Sequence, residues 1–143
     1  MHSDLKPGLR GSFEYTVPAE KTVPHVYREF AEFQQMPAVF ATAFLVGLIE
    51  GTCQKIMVPY LDWPREQSLG TRVDFTHVAA TPPGMTVRVD AEVIAVEGRL
   101  VRFRARARDD RELISEGTHE RVVIDADRFL RKVADKARGA GGS

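Results

Sequence analysis

The chain has 143 residues, of which 43% are hydrophobic and 28% are charged, and its 20 basic residues balance 20 acidic residues. We therefore expect a single globular domain over residues 1–143, with a core large enough to need no disulfide or metal staple. The zero net charge gives the chain no overall attraction to nucleic acid or to an anionic membrane, so neither is an expected partner.

The number of cysteines and the length of the apolar segments indicate the cellular compartment of the protein. The single cysteine, Cys53, excludes an internal disulfide and fits a reducing cytoplasm. The first ten residues are charged and have no apolar stretch behind them, so no secretory signal is predicted. The longest apolar run, Met36 to Ile49, has 14 residues. A membrane span needs about 20, so this run indicates a buried helix in a cytoplasmic protein.

The N-terminal third predicts a strand followed by irregular structure. Residues 1–10 are expected to form a loose arm, and Ser12 to Val17 alternates apolar and polar residues as a strand does. Prolines at 18 and 24 interrupt the next segment, which contains Tyr27, Phe30 and Phe33 and predicts a short helix or lid.

A long helix is predicted from about Pro37 to Tyr60, because proline suits a first helical turn and the segment is apolar nearly all round. A helix of this kind must be covered on every side. Cys53 is expected to be a buried structural residue of this helix.

Ser68-Leu69-Gly70 predicts a turn, and strand patterns follow it in close succession. The last of these strands leads into a short amphipathic helix and a flexible Gly-rich tail at residues 138–143. The predicted strands are Thr71 to Ala79, Met85 to Val96, Leu100 to Arg108 and Leu113 to Asp125.

One strand, a long apolar helix and four antiparallel strands are the element order of a hotdog fold, an α+β architecture in which the sheet wraps a central helix. An unpaired edge strand commonly pairs with a second copy, so we expect a homodimer or a larger assembly.

Three polar residues are predicted to face the interior of this fold: Thr42 and Glu50 on the helix and His77 beside Val73 and Phe75 on a strand. A hydroxyl, a carboxylate and an imidazole together suit assisted acyl transfer. Thr42 and Glu50 are about 80° apart around the helix and about 12 Å apart along it, so they cannot touch each other. His77 can reach one of them, and the other would act through substrate, water or a second subunit.

Each of these residues also has a structural interpretation. Thr42 could bond back to a helix carbonyl, Glu50 could be an exposed helix residue, and His77 could be a satisfied core histidine. No histidine pair has the spacing of metal ligands, so no metal is expected.

Several segments resemble the fluoroacetyl-CoA thioesterase family, a hotdog-fold group that acts on short acyl-CoA thioesters. The similarity runs from about Ser12 to Val133. The segments that carry it are Val39-Phe40-Ala41-Thr42, Val46-Gly47-Leu48-Ile49-Glu50, Ser68-Leu69-Gly70-Thr71, Thr76-His77, Ala80-Thr81-Pro82-Pro83-Gly84-Met85-Thr86-Val87 and Gly117-Thr118-His119-Glu120-Arg121.

The resemblance implies that Thr42, Glu50 and His77 form a catalytic triad and that Gly70 and Arg121 line an acyl pocket. Met36 stands where the fluoroacetate-specific member has a phenylalanine that gates the pocket. A flexible thioether fills similar space but is not a rigid lid. Gly51 likewise replaces a bulky aromatic residue beside the carboxylate.

The expected function is hydrolysis of a short-chain acyl-CoA to the free acid and coenzyme A, with no cofactor other than the coenzyme A of the substrate. Two alternatives stay open: a non-catalytic acyl-CoA binding module, and a hotdog dehydratase that acts on a hydroxyacyl thioester. Arg102, Arg104, Arg106 and Arg108 share one strand face and predict either a solvated surface or a strip that binds coenzyme A phosphates.

Overall fold

The computed structural model describes residues 1–142, which form one antiparallel five-stranded sheet and three α-helices. The strand order in the sheet is β1-β3-β4-β5-β2. The strands are β1 (Arg10–Thr16), β2 (Glu66–Phe75), β3 (Thr86–Glu97), β4 (Leu100–Arg108) and β5 (Leu113–Asp125), and the helices are α1 (Ala31–Gln34), α2 (Thr42–Met57) and α3 (Ala126–Gly142). This is the predicted α+β architecture.

The three central strands follow the predicted pattern closely, and the bounds of β4 and β5 are those expected from the sequence. Every second residue of β4 is buried and packs toward α2, whereas the arginines between them lie on the outer face. Alternation of this kind fixes the register, because a slip of one residue would bury the arginines.

Helix α2 packs across the inner face of the sheet through Leu45, Ile49, Cys53 and Met57, which are at most 1% exposed. Its predicted start at Pro37 is wrong. Residues 37–41 lie outside the helix, and Phe40 donates its N–H to Thr81 O at 2.8 Å instead. The prediction that this helix is covered on every side is also wrong for a single chain, since its small residues Ala43, Gly47 and Gly51 are exposed.

Strand β2 differs most from the sequence prediction. It begins at Glu66, so the predicted turn at residues 68–70 lies inside the strand, where Ser68 pairs with Val123 of β5. Turn-forming residue types are overridden here by the ladder with β5. The strand ends at Phe75, so His77 lies beyond it, and Val73 is 48% exposed and shares no buried face with His77.

Strand β2 is also an edge of the sheet, and residues 70–74 are exposed along it. Its backbone groups on the side away from β5 have no neighbouring strand in the described chain. An edge of this kind is a template for pairing with another copy.

The structure has more contacts at the N-terminus and more helix at the C-terminus than the sequence predicted. In the expected loose arm, Leu5 is 3% exposed within the core, and Gly8 donates its N–H to Val93 O at 2.9 Å. In the expected tail the helical backbone continues to Gly142, and Ser143 lies outside the described residues. Within residues 1–142 no helix combines the length and the apolar character needed to cross a bilayer.

Candidate active site

The first polar cluster lies at the start of α2. Thr42 is the first residue of the helix, and its Oγ1 lies 2.7 Å from His77 Nδ1 in a hydrogen bond. Backbone bonds on both sides hold the histidine segment against β5: Thr76 donates to Glu116 O and Val78 donates to Ile114 O. The sequence left open whether His77 reaches Thr42 or Glu50. The structure pairs it with Thr42, although His77 is not on a strand.

A groove of about 260 Å³ opens beside this pair. Apart from Thr42 and His77, its lining is mainly apolar: Val23, Val39, Phe40, Val78, Ala79 and Ala80. No side chain caps the N–H groups of the first turn of α2. These groups carry the positive end of the helix dipole, which attracts negative charge that develops nearby.

His77 is held in its neutral form. Burial lowers its pKa, and a backbone hydrogen bond at Ala79 offsets part of this effect. Its Nε2 is buried and has no hydrogen-bond partner among the described residues. A neutral imidazole with one nitrogen uncommitted can accept or deliver a proton when a ligand supplies the partner.

The second polar cluster lies two turns further along α2, around Glu50. Glu50 Oε2 accepts a hydrogen bond from Arg121 Nη1 at 3.0 Å in an ion pair. The Arg121 side chain is 3% exposed, whereas that of Glu50 is 39% exposed. No described residue bonds to Glu50 Oε1, so this carboxylate has one tethered oxygen and one free oxygen.

Arg121 uses all of its N–H donors inside the protein. A guanidinium has five of them, and each has a protein acceptor within 3.1 Å. The acceptors are Ser68 Oγ, Ser68 O, Gln54 Oε1, Glu50 Oε2 and His119 Nε2. Arg121 therefore presents no spare donor to a substrate and holds the carboxylate in place instead.

His119 completes this cluster from the core side and is fully buried. Its Nδ1 lies 2.7 Å from Arg72 O, and its ring lies near those of Phe75 and Phe103. Burial lowers the pKa of His119, a backbone hydrogen bond at Arg72 O opposes the shift, and Arg121 adds to it.

Gly70 of β2 lies directly against the Glu50 carboxylate. A Cβ placed on this residue would lie 2.5 Å from Glu50 Oε2 and 3.1 Å from His119 Cε1. Both distances are shorter than ordinary contact, so a glycine is needed for the carboxylate to sit between β2 and Arg121.

The other expected residues fall outside the two clusters. Met36 is 47% exposed and is not among the residues that line the groove at Thr42. Cys53 is buried, and burial raises the pKa of its thiol to about 12, so it is a structural residue as predicted. Within residues 1–142 no group of His, Cys, Asp and Glu side chains is arranged to hold a metal ion.

The sequence reasoning missed the partners of Arg121, namely Gln54, Ser68 and His119. One signal was available: His119 and Arg121 lie on the inward face of β5 together with the apolar residue Val123. Two polar residues at that spacing on a core-facing strand indicate a buried network.

The arginines of β4 lie on the outer face of the sheet and are interleaved with carboxylates. Arg102 contacts Glu120 at 2.8 Å and Arg106 contacts Glu116 at 3.7 Å, while Arg104 lies opposite Glu92 in the strand register. Charge pairing of this kind favours a solvated surface over a cationic strip for phosphates.

The comparisons with known proteins agree with this architecture. The sequence profile of a family described as fluoroacetyl-CoA-specific thioesterase matches residues 18–127. The fluoroacetyl-CoA thioesterase of Streptantibioticus cattleyicolor is 48% identical over 136 residues, which are 95% of this chain and 97% of that enzyme.

Two solved structures are similar in shape. A threonine-to-alanine variant of fluoroacetyl-CoA thioesterase in complex with fluoroacetate has a TM-score of 0.89 and 48% identity, over 92% of this chain and 98% of that one. A hot-dog-like protein from Thermanaerovibrio acidaminovorans has a TM-score of 0.77 and 22% identity over 91% of each chain, and supports the fold alone. This chain has a hotdog fold and belongs to the fluoroacetyl-CoA thioesterase family.

Proposed function

We propose that this protein hydrolyses a short-chain acyl-CoA thioester to the free acid and coenzyme A. The observation that carries the proposal is the Thr42–His77 hydrogen bond of 2.7 Å at the mouth of an apolar groove, in a chain of an acyl-CoA thioesterase family. The groove suits a small acyl group, and no cofactor is needed, because coenzyme A enters as part of the substrate.

In the proposed reaction the thioester carbonyl lies at the start of α2. Its carbon is attacked either by water that Glu50 activates or by the Glu50 carboxylate itself, and the first-turn N–H groups stabilise the oxyanion. The carbon–sulfur bond then breaks, and the leaving sulfur takes a proton that His77, neutral in the free protein, has first accepted from the attacking water or from solvent. If Glu50 is the nucleophile, water hydrolyses the resulting anhydride and releases the acid. Thr42 orients His77 and the carbonyl.

The separation of the two clusters supports a homodimer with composite sites. Thr42 and Glu50 lie about 12 Å apart along one helix, so one chain does not bring them to the same atom. Glu50 contacts Gly70 on the exposed edge of β2. Antiparallel pairing of two copies along this edge would set their α2 helices side by side in opposite directions. The Thr42–His77 pair of one copy would then approach Glu50 of the other.

Small acyl groups are the proposed substrates, and fluoroacetyl is one candidate because the relatives are named for it. Met36 is exposed beside α1, where a flexible side chain closes a site less rigidly than an aromatic ring does. We therefore propose that the protein accepts acetyl and fluoroacetyl groups with less discrimination than an enzyme with a rigid lid. A coenzyme A substrate and an unpaired cysteine support a cytoplasmic location.

The test is a thiol-release assay on a panel of acetyl-, fluoroacetyl-, propionyl- and butyryl-CoA. We expect release of coenzyme A from the two-carbon substrates, with smaller rates as the chain lengthens. Binding of acyl-CoA without any thiol release would indicate the non-catalytic binding module. Formation of an enoyl thioester from 3-hydroxybutyryl-CoA, with no thiol release, would indicate the dehydratase.

The composite site is tested by mixing two inactive variants, Thr42→Ala and Glu50→Gln. If the site is shared, a mixed dimer keeps one fully native site, and a statistical mixture recovers about a quarter of wild-type activity. If each chain carries its own site, the mixture stays inactive, because every site then contains one of the two substitutions.

A further inference from the structure

We propose that His119 is a positioning residue for the Glu50 carboxylate and acts on it through Arg121. The predicted effects on kcat rest on the proposed function, whereas the predicted tautomer of His119 and the contact between Arg121 and Glu50 rest on geometry alone. A continuous chain of hydrogen bonds runs from Arg72 O to His119, from His119 to Arg121 and from Arg121 to Glu50.

The hydrogen bonds fix both the charge and the tautomer of His119. Arg121 has only donors, so His119 Nε2 must accept at 3.1 Å and carries no proton. The ring proton is therefore on Nδ1, which donates to Arg72 O at 2.7 Å. A buried imidazole whose two nitrogens are committed in this way is neutral and holds one orientation.

The same contacts show why Arg121 needs His119. The two protons of Nη1 go to Glu50 Oε2 and to His119 Nε2, so one nitrogen joins the core to the carboxylate. Without the His119 acceptor, a buried guanidinium N–H has no partner, and the group gains by turning toward another acceptor. Gly70 limits where the carboxylate can follow, because β2 lies so close that a Cβ placed on this residue would be 2.5 Å from Glu50 Oε2.

Protonation of His119 would break this arrangement. A proton on Nε2 would point at the Arg121 guanidinium, so two cations and two donors would face each other across 3.1 Å. The charged groups around the ring are Arg121 and Glu120 on β5 and Glu50 on α2. The neutral thiol of Cys53 lies near Arg121 and Glu50. β2 presents Arg72 O and the Phe75 ring, and β4 presents the Phe103 ring. Acid should therefore release Glu50 before it unfolds the protein.

Two neutral substitutions separate the two nitrogens of the ring. His119→Gln places an amide oxygen near the position of Nε2 and can still accept from Arg121. His119→Asn places an amide near the position of Nδ1, so it can still donate to Arg72 O but cannot reach Arg121. The two variants are matched in charge and polarity and differ in whether they can accept a hydrogen bond from Arg121, which is the contact that the proposal requires.

We expect His119→Asn to lower kcat by about ten- to a hundredfold with KM nearly unchanged, because a displaced carboxylate affects the reacting geometry. His119→Gln should keep kcat within about threefold and extend activity to lower pH, since no imidazole remains to be protonated. Equal kcat in the two variants and an acid limb identical to that of the wild type would overturn the proposal. Melting temperatures and circular dichroism establish that both variants are folded.

Two measurements do not depend on turnover and keep this inference separate from the proposed function. Nitrogen NMR of the wild type at pH 7 should show His119 protonated at Nδ1 alone, and protonation at Nε2 would refute the proposal. Crystal structures should show the contact between Glu50 Oε2 and Arg121 Nη1 kept in His119→Gln and lost in His119→Asn. If the wild type releases no thiol, the proposed function fails while these two results still decide the role of His119.

Discussion

The two polar clusters along α2 differ in how fully their hydrogen-bonding groups are used. Around Glu50, the Arg121 guanidinium has a protein acceptor for every donor and is 3% exposed. At Thr42, His77 Nδ1 bonds to the hydroxyl, and His77 Nε2 has no partner within residues 1–142. A saturated network holds a group in one place, whereas an unsaturated pair needs a ligand to complete it. The cluster around Glu50 is thus suited to holding a carboxylate in place, and the Thr42–His77 pair is suited to binding a ligand and exchanging protons with it.

The largest expected effect is on turnover when either cluster loses its reacting group. Glu50→Gln and His77→Ala should each lower kcat by at least about a hundredfold, because general acid–base groups contribute that much or more. Glu20→Gln and His25→Ala alter exposed residues of the same types and serve as controls. Nearly full activity in both site variants, measured by thiol release, would rule out the proposed chemistry at both clusters.

Loss of the saturated cluster should also weaken the fold. Arg121→Met leaves the buried acceptors Ser68 and His119 without their donor, and unsatisfied buried polar groups cost about 2 kcal/mol of unfolding free energy. Urea unfolding measures this difference. Arg111→Met, at an exposed position, should cost less than about 0.5 kcal/mol. Equal stability of the two variants would mean that the cluster adds nothing to the fold.

Crowding the carboxylate tests its placement without removing any functional group. Gly70→Ala puts a methyl group 2.5 Å from the present position of Glu50 Oε2, so the carboxylate must move. We expect kcat to fall about tenfold while the protein stays folded. Ala137→Val adds apolar bulk at an exposed position of α3, outside both clusters, and should leave kcat unchanged. A Gly70→Ala enzyme as fast as Ala137→Val would show that Glu50 tolerates displacement.

Acid should weaken both clusters, because burial lowers the pKa values of His77 and His119. An unfolded chain takes up these protons at about pH 6.5, whereas the folded chain takes them up only at lower pH. The stability that comes from keeping both rings neutral is therefore present above about pH 6.5 and declines as the pH falls toward the folded pKa values. Urea unfolding between pH 7.5 and pH 5 measures the loss. His77→Gln and His119→Gln should each flatten the curve, and unchanged curves would contradict the pKa directions.

The smallest expected effect concerns the outer face of the sheet, which is separate from both clusters. Arg104→Gln removes one charge from the β4 arginines, where Glu92 lies opposite it. The KM for acetyl-CoA should stay within about twofold, because a single exposed arginine on the outer face of the sheet contributes little. A rise of tenfold or more at low salt would restore the interpretation of this face as a phosphate-binding strip.

The sequence predicted the central strands well, because the information for them is local. Alternation along β4 decides which residues face α2 without reference to the rest of the chain. The start of α2 and the extent of β2 depended on distant partners: Phe40 bonds to Thr81, and Ser68 pairs with Val123. These partnerships overrode proline at residue 37 and the turn-like composition of residues 68–70, and neither can be read from a short window.

The site could be predicted only in part, because some of its contacts also depend on distant segments of the chain. Spacing along one helix correctly separated Thr42 from Glu50, and the geometry now pairs Thr42 with His77. The surroundings of Glu50 come from α2, β2 and β5, so they could be known only once those elements were assembled. The roles of Thr42, Glu50 and His77 stay predictions until the variants are measured.

The sole sulfhydryl of the chain is enclosed and has a raised pKa, about 12. A thiolate is the reactive form, so aromatic disulfide and maleimide reagents should leave this enzyme unmodified at neutral pH. Colour that develops during an Ellman-type measurement can then be assigned to liberated coenzyme A without a protein background. A cysteine introduced on the surface, such as Glu29→Cys, would be the one labelled position and could carry a spin label for testing the proposed homodimer through distances between its copies.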